Sequence, residues 1–204
     1  MKSNNLSGHI SALITIFIWG TTFISTKILL NSFQPIEILF FRFVLGLIIL
    51  TIAYPKKLRL TTINQELTFA AAGLCGITLY YLLENISLTY TMASNVGVII
   101  SISPFFTAIL SYLISKKGNK LHLNFFIGFV IAISGIYLIS FKNSQLEINP
   151  AGDILAVVAA LIWSVYSILS KKISDFGFNI IQTTRRIFTY GIIFMIPTLF
   201  FFDF

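Results

Sequence analysis

Charge is what this chain has least of. Only 10% of its 204 residues are Asp, Glu, Lys or Arg, while 56% are apolar and 21 are Phe. A soluble domain carries about 25% charged residues to solvate its surface. A water-facing globule is therefore excluded, and lipid is the expected solvent. Cysteine is nearly absent as well. Cys75 stands alone inside an apolar run, which rules out an intrachain disulfide and a thiolate metal site and reads as a packed, inert thiol. His9 and His122 are the only histidines. There is no His-Glu-x-x-His, no Ser/His or Cys/His arrangement and no glycine-rich phosphate loop. The sequence thus offers no catalytic constellation, no metal site and no cofactor site. No small-x-small cleavage site precedes Lys27, so no removable leader is expected. The net charge is +7, but the basic residues sit in short clusters between apolar runs. That pattern argues against nucleic acid and for membrane orientation.

What the chain does have is a repeat. Gly8–Lys27 reads GHISALITIFIWGTTFISTK, and 144 residues later Gly152–Lys171 reads GDILAVVAALIWSVYSILSK. Seven positions are identical, among them Gly8/Gly152, Trp19/Trp163 and Lys27/Lys171. The same offset carries Arg42 onto Arg186. A repeat of this length in so apolar a chain points to a duplicated membrane protein.

An apolar helix needs about 20 residues to cross ~30 Å of hydrocarbon. Seven spans meet that rule, over roughly 9–29, 35–54, 66–90, 93–115, 122–141, 153–172 and 178–201. Breakers separate them: Asn31 to Pro35, Pro55, Gly118-Asn119, Asn149-Pro150 and Gly177. The spans show no period-2 alternation, which excludes a β-barrel. The expected fold is an all-α polytopic membrane protein. With the N-terminus in the cytosol, nine basic loop residues (Lys2, Lys56, Lys57, Arg59, Lys116, Lys117, Lys120, Lys171 and Lys172) fall inside, and Lys27 and Lys142 fall outside. The bias predicts an N-in protein of the cell membrane, inner or plasma, with Glu147 outside. The repeat unit, residues 1–144, holds five spans, an odd number. The second copy, from 145 to 204, therefore starts on the opposite side, as in carriers built from inverted repeats.

Several stretches together resemble the EamA-type carriers of the drug/metabolite transporter superfamily. They are the IWGTTFISTK of span one, the Pro35-to-Arg42 spacing, the run Thr91–Leu113 (TMASNVGVIISISPFFTAILSYL), Gly128 and Gly135, and the Gly152–Lys171 stretch. The resemblance implies ten helices in two inverted five-helix repeats, a central substrate cavity, and export of small metabolites, amino acids or drugs by alternating access. Where such carriers commonly place a Glu after helix four, this chain reads Lys116-Lys117-Gly118-Asn119-Lys120.

Candidate site residues follow from polarity at depth. Glu84 lies roughly 9 Å below the outer interface and Arg42 roughly 10 Å, at about 1.5 Å per residue. A charge there must be paired or face water. Glu84 reads either as a structural partner of Arg42, within salt-bridge reach or across one water, or as a substrate or proton group. Tyr80 shares the Glu84 face, so the pair suits an amphipathic or cationic substrate through cation–π attraction or an interfacial aromatic belt. Trp19 and Trp163 lie mid-span, where each indole N–H needs a partner. They line the cavity or plug the contact between spans one and six. Gly20, Thr21 and Thr22 permit close helix approach there. In span four, Asn95, Ser101, Ser103, Pro104 and Thr107 form a polar line. Pro104 frees the Ile100 carbonyl, reading as a kink beside the cavity or as helix–helix glue. Arg185 and Arg186 snorkel to headgroups, or Arg186 joins a gate as the mate of Arg42.

The expected function is carriage of a small-molecule substrate in membrane lipid, with proton coupling and a homodimer left open. A flippase of lipid-linked substrates and a non-transporting accessory subunit are the alternatives; an intramembrane enzyme lacks its catalytic residues. The second copy holds only two spans, and a complete one would end near about residue 288. The chain is therefore expected to be the N-terminal part of a longer carrier, inactive alone, or to be completed by a partner.

Overall fold

A computed structural model describes residues 3–58, 62–114, 123–141 and 149–201. Lys2, Arg59, Lys116, Lys117, Gly118, Asn119, Lys120, His122, Lys142 and Glu147, on which part of the topology reading rests, lie outside the described residues.

Nine α-helices follow one another among the described residues: α1 (Ser3–Leu29), α2 (Pro35–Ala53), α3 (Ile63–Gly73), α4 (Tyr80–Tyr90), α5 (Ala93–Ile100), α6 (Ser103–Ile114), α7 (Leu123–Phe141), α8 (Pro150–Ser174) and α9 (Ile180–Phe201). A π-helical turn, Leu74–Leu79, joins α3 to α4 without a break. Five helical segments are long and apolar enough to cross a membrane: Gly8–Leu29, Pro35–Ala53, Ile63–Tyr90, Ala93–Ile114 and Pro150–Ser174. The chain is thus an all-α, multi-pass membrane protein.

The helix ends have local causes. Pro35 occupies the first turn of α2, where a missing N–H is harmless, and Glu37 reaches back to the Gln34 amide at 2.7 Å to complete a capping box. Asn149 caps α8 by accepting from the Gly152 amide at 3.2 Å, with Pro150 next in line. Gly177, at φ 71°, makes the left-handed turn between α8 and α9.

The packing centre is α8 together with the continuous Ile63–Tyr90 rod. Ile36, Leu39 and Phe43 of α2, Phe69 and Ala72 of α3, Ile77 of the π turn, Ile173 of α8, and Ile187 and Met195 of α9 form one buried cluster. A second joins Leu88, Val96 and Ala156. Helix α1 touches this body mainly along α4 and α5, leaving Leu13, Ile16 and Phe17 exposed.

Close approach occurs elsewhere than at Gly20, which has open space around it. It occurs where the rod crosses α8 and α9. A Cβ on Gly73 would lie 2.5 Å from the Tyr190 Cβ and 2.8 Å from the Gly191 amide nitrogen. One on Gly191 would lie 2.3 Å from Ile77, and one on Gly76 would enter the Tyr166 ring. Side-chain hydrogen bonds to backbone lock the same contacts: Thr78 to Gly191 O (2.9 Å), Ser87 to Gly152 O (2.8 Å) and Asn85 to Pro35 O (3.1 Å). In lipid, such bonds and small-residue contacts replace the hydrophobic drive between helices.

Candidate functional site

Span four does not merely bend. It stops at Ile100 and restarts at Ser103, with a two-residue turn at 101–102 between α5 and α6. Pro104 lies in the first turn of α6 rather than inside a helix. The carbonyl it cannot serve, Ile100 O, accepts the Ser103 hydroxyl at 2.6 Å. That bond satisfies in protein a group that lipid could not. Ser103 O in turn receives the hydroxyls of Thr107 and of Ser164 on α8, both at 2.9 Å. The break in span four is thereby tied to α8.

Beside this break lies a cleft of about 460 Å³, lined by Ser103, Pro104, Thr107, Ala108, Ser111, Trp163 and Ser167. The structure divides the expected polar line. Thr107 and Pro104 face the cleft with Trp163, whereas Asn95 is buried against Thr91 (3.2 Å) and Ser101 is exposed, donating to Val98 O. Neither Asn95 nor Ser101 lines the cleft.

Trp163 is the hub of an aromatic cluster. Its ring centroid lies 5.7 Å from Trp19 in edge-to-face contact, 4.6 Å from Tyr80 and 5.0 Å from Tyr166. Tyr80 touches Tyr81 at 4.7 Å, and Tyr81 touches Phe43 at 5.1 Å. Trp19 thus meets its repeat mate, while Trp163 also walls the cleft.

Glu84 is 5% exposed. Tyr80 lies one turn earlier on the same face, and the Glu84 Oε2 has no hydrogen-bond partner. The expected Arg42–Glu84 ion pair is not formed. Arg42 donates instead to the Thr26 hydroxyl at 2.9 Å and lies over the Tyr81 ring at 5.7 Å. Equal depth brought the two residues to the same level. Rotation about the helix axes put Tyr81 beside the guanidinium.

The arginines of α9 also have partners within the protein. Arg186 pairs with Glu66, which also accepts the Tyr190 hydroxyl. Arg185 donates to Tyr54 O (2.6 Å) and Lys56 O (2.7 Å). Glu66 was missed from the sequence because it reads as an ordinary first-turn carboxylate, and its partner is 120 residues away. Lys27, read only as an outer charge, donates to the carbonyls of Leu88 and Thr91, the latter at 3.0 Å. It places a cation at the C-terminal end of α4, where the helix dipole favours one.

The arrangement can hold a small molecule and has no nucleophile–base pair; among the described residues no group of acidic, His or Cys side chains could hold a metal. Residues 6–141 match the EamA-like transporter family. The chain belongs to that family. It is 29% identical to an uncharacterized transporter of Archaeoglobus fulgidus over 95% of this chain and 67% of the relative. It is 33% identical to an uncharacterized transporter of Haemophilus influenzae over 84% and 58%, and 24% identical to the uncharacterized inner membrane transporter YedA of Escherichia coli over 85% and 56%. This EamA-family chain spans 56 to 67% of the length of these relatives.

Proposed function

We propose that the chain is, or forms part of, a carrier that moves small metabolites, amino acids or drugs outward across the cell membrane, binding them in the cleft between α6 and α8. The observation that carries this reading is the break in span four beside Trp163. In lipid, irregular backbone is tolerated where protein buries it or where it lines a cavity, and discontinuous helices build carrier binding sites. Family membership supports transport as the activity. The seven spans, with residues 1–144 as one five-helix repeat and 145–204 as the start of an inverted second, would rock about the cleft in alternating access. The Trp19–Trp163 contact between repeat mates fits such an axis. The basic loop residues favour a cytosolic N-terminus.

Two experiments test this. On a Cys75→Ala background, Asn31→Cys should label from outside intact cells and Leu58→Cys only after permeabilisation; the reverse pattern sinks the orientation. Liposomes containing the protein and loaded with amino acids, nucleosides and organic amines should release at least one solute faster than protein-free liposomes, with and without a pH gradient. Identical release in both sets counts against carriage.

A further inference from the structure

The polar lining of the cleft is one-sided. A serine or threonine hydroxyl has one hydrogen to donate and two lone pairs to accept with. Around this cleft three of the four hydroxyl hydrogens are already committed, Ser111 holding the fourth. Ser103 gives its own to Ile100 O (2.6 Å), Thr107 to Ser103 O (2.9 Å) and Ser167 to Trp163 O (2.9 Å). Each is a local bond to the i−3 or i−4 carbonyl, and none needs a ligand to form. What these oxygens keep for the cleft is acceptor capacity. The wall they complete includes Trp163, whose indole ring attracts cations through its quadrupole. No Lys, Arg or His lines the cleft among the described residues. In contact with the Trp163 ring is Tyr80, and one turn on from Tyr80 is Glu84. Glu84 Oε2 is buried without a hydrogen-bond partner. The guanidinium of Arg42 donates to Thr26 and lies over Tyr81 rather than bonding that oxygen, while still acting on Glu84 through space.

Acceptor oxygens and an indole ring with no cation in the lining, and a buried carboxylate one residue behind it, complement a donor-rich, positively charged ligand. Nothing in the lining offers a charged partner for a carboxylate. We infer that the cleft selects organic ammonium ions, primary amines above all, and discriminates against the same skeleton carrying a carboxylate. This rests on the cleft being the substrate site, as proposed above, and narrows the metabolites it takes to amines.

The chain carries its own reporter, since its only two tryptophans are Trp19 and Trp163 and both belong to this cluster. Intrinsic fluorescence of the full chain in non-ionic detergent is titrated with phenethylamine, phenylalanine and phenylacetate, three ligands sharing one ring and differing in charge. The amine should bind at least about tenfold more tightly than the zwitterion and the anion. Glu84→Gln should lower the preference for the amine several-fold, and Glu84→Asp should restore part of it. Thr107→Val, which removes one acceptor, should weaken the amine and leave phenylacetate unchanged. Equal binding of the three ligands, tighter binding of phenylacetate, or no fluorescence response to any of them overturns the inference. The wild-type comparison decides even where Glu84→Gln fails to fold. Charge-selective binding without release from liposomes would leave the inference standing and count against carriage instead.

Discussion

Replacing Gly73 by alanine is the sharpest test of the packing. The new Cβ would sit 2.5 Å from the Tyr190 Cβ, 2.8 Å from the Gly191 nitrogen and 2.9 Å from the Ile187 carbonyl oxygen. All three are backbone atoms or a Cβ, so no side-chain rotation relieves the clash. Carbon atoms rest at about 3.5–4.0 Å, so the rod and α9 must separate by about 1 Å. That separation would stretch the 2.9 Å Thr78–Gly191 hydrogen bond beyond bonding range. Overpacking costs about 1–3 kcal/mol and the lost bond about 1 kcal/mol, giving about 2–4 kcal/mol in all. Gly20→Ala and Gly97→Ala meet nothing within 4 Å and should be neutral or stabilising by up to about 1 kcal/mol through helix propensity. Gly46→Ala meets only the far edge of the Phe188 ring at 2.9 Å and should fall between. Unfolding by SDS titration, followed by far-ultraviolet circular dichroism, ranks the four. If Gly73→Ala unfolds at the same SDS fraction as Gly97→Ala, the close crossing of the rod with α9 is wrong.

Three further outcomes are expected. Ser103→Ala should lower stability by about 1–3 kcal/mol, because the Ile100 carbonyl is left without a partner beside Pro104; stability equal to wild type would show that carbonyl to be otherwise served. Lys27→Met should loosen the end of α4, seen as faster hydrogen exchange at Thr91 and its neighbours, with partial recovery in Lys27→Arg; unchanged exchange refutes the tie. Glu66→Gln should lose about 1 kcal/mol or less, since Arg186 is partly exposed, and a double-mutant cycle with Arg186→Gln should give a positive coupling energy; additivity would dissolve the pair.

Much of the fold could be read from the chain because its causes are local. The starts of α2 and α8 follow from Gln34-Pro35 with Glu37 and from Asn149-Pro150, and the turn before α9 follows from Gly177. The site was legible only in part. Trp163, Thr107 and Pro104 were marked as cavity candidates within apolar spans, and one cleft is lined by all three. Asn95 and Ser101 carried the same mark but fall on other faces, because the break at 101–102 resets the rotation of the helix that follows. Arg42 and Glu84 were matched by depth alone, a single coordinate of three. The Glu66–Arg186 pair and the Lys27 tie join residues 120 and about 60 positions apart, and no spacing within one helix announces such a contact.

The π-helical turn Leu74–Leu79 acts as a gear between two partners. An α-helix advances about 100° per residue, and a π turn accommodates an extra residue in the ladder. The faces before and after it are therefore out of phase with an uninterrupted helix. Before it, Glu66 and Gly73 meet Arg186 and Tyr190 of α9. After it, Tyr80 and Ser87 meet Trp163 and Gly152 of α8. A single-residue deletion within 74–79 would leave composition, hydropathy and helix length almost untouched. Because the bulge already holds one extra residue, the segment would close into regular α-helix, and Tyr80 and Ser87 would still meet Trp163 and Gly152. One residue inserted there would instead turn the second half of the rod by about 100° while Glu66 kept its grip on α9.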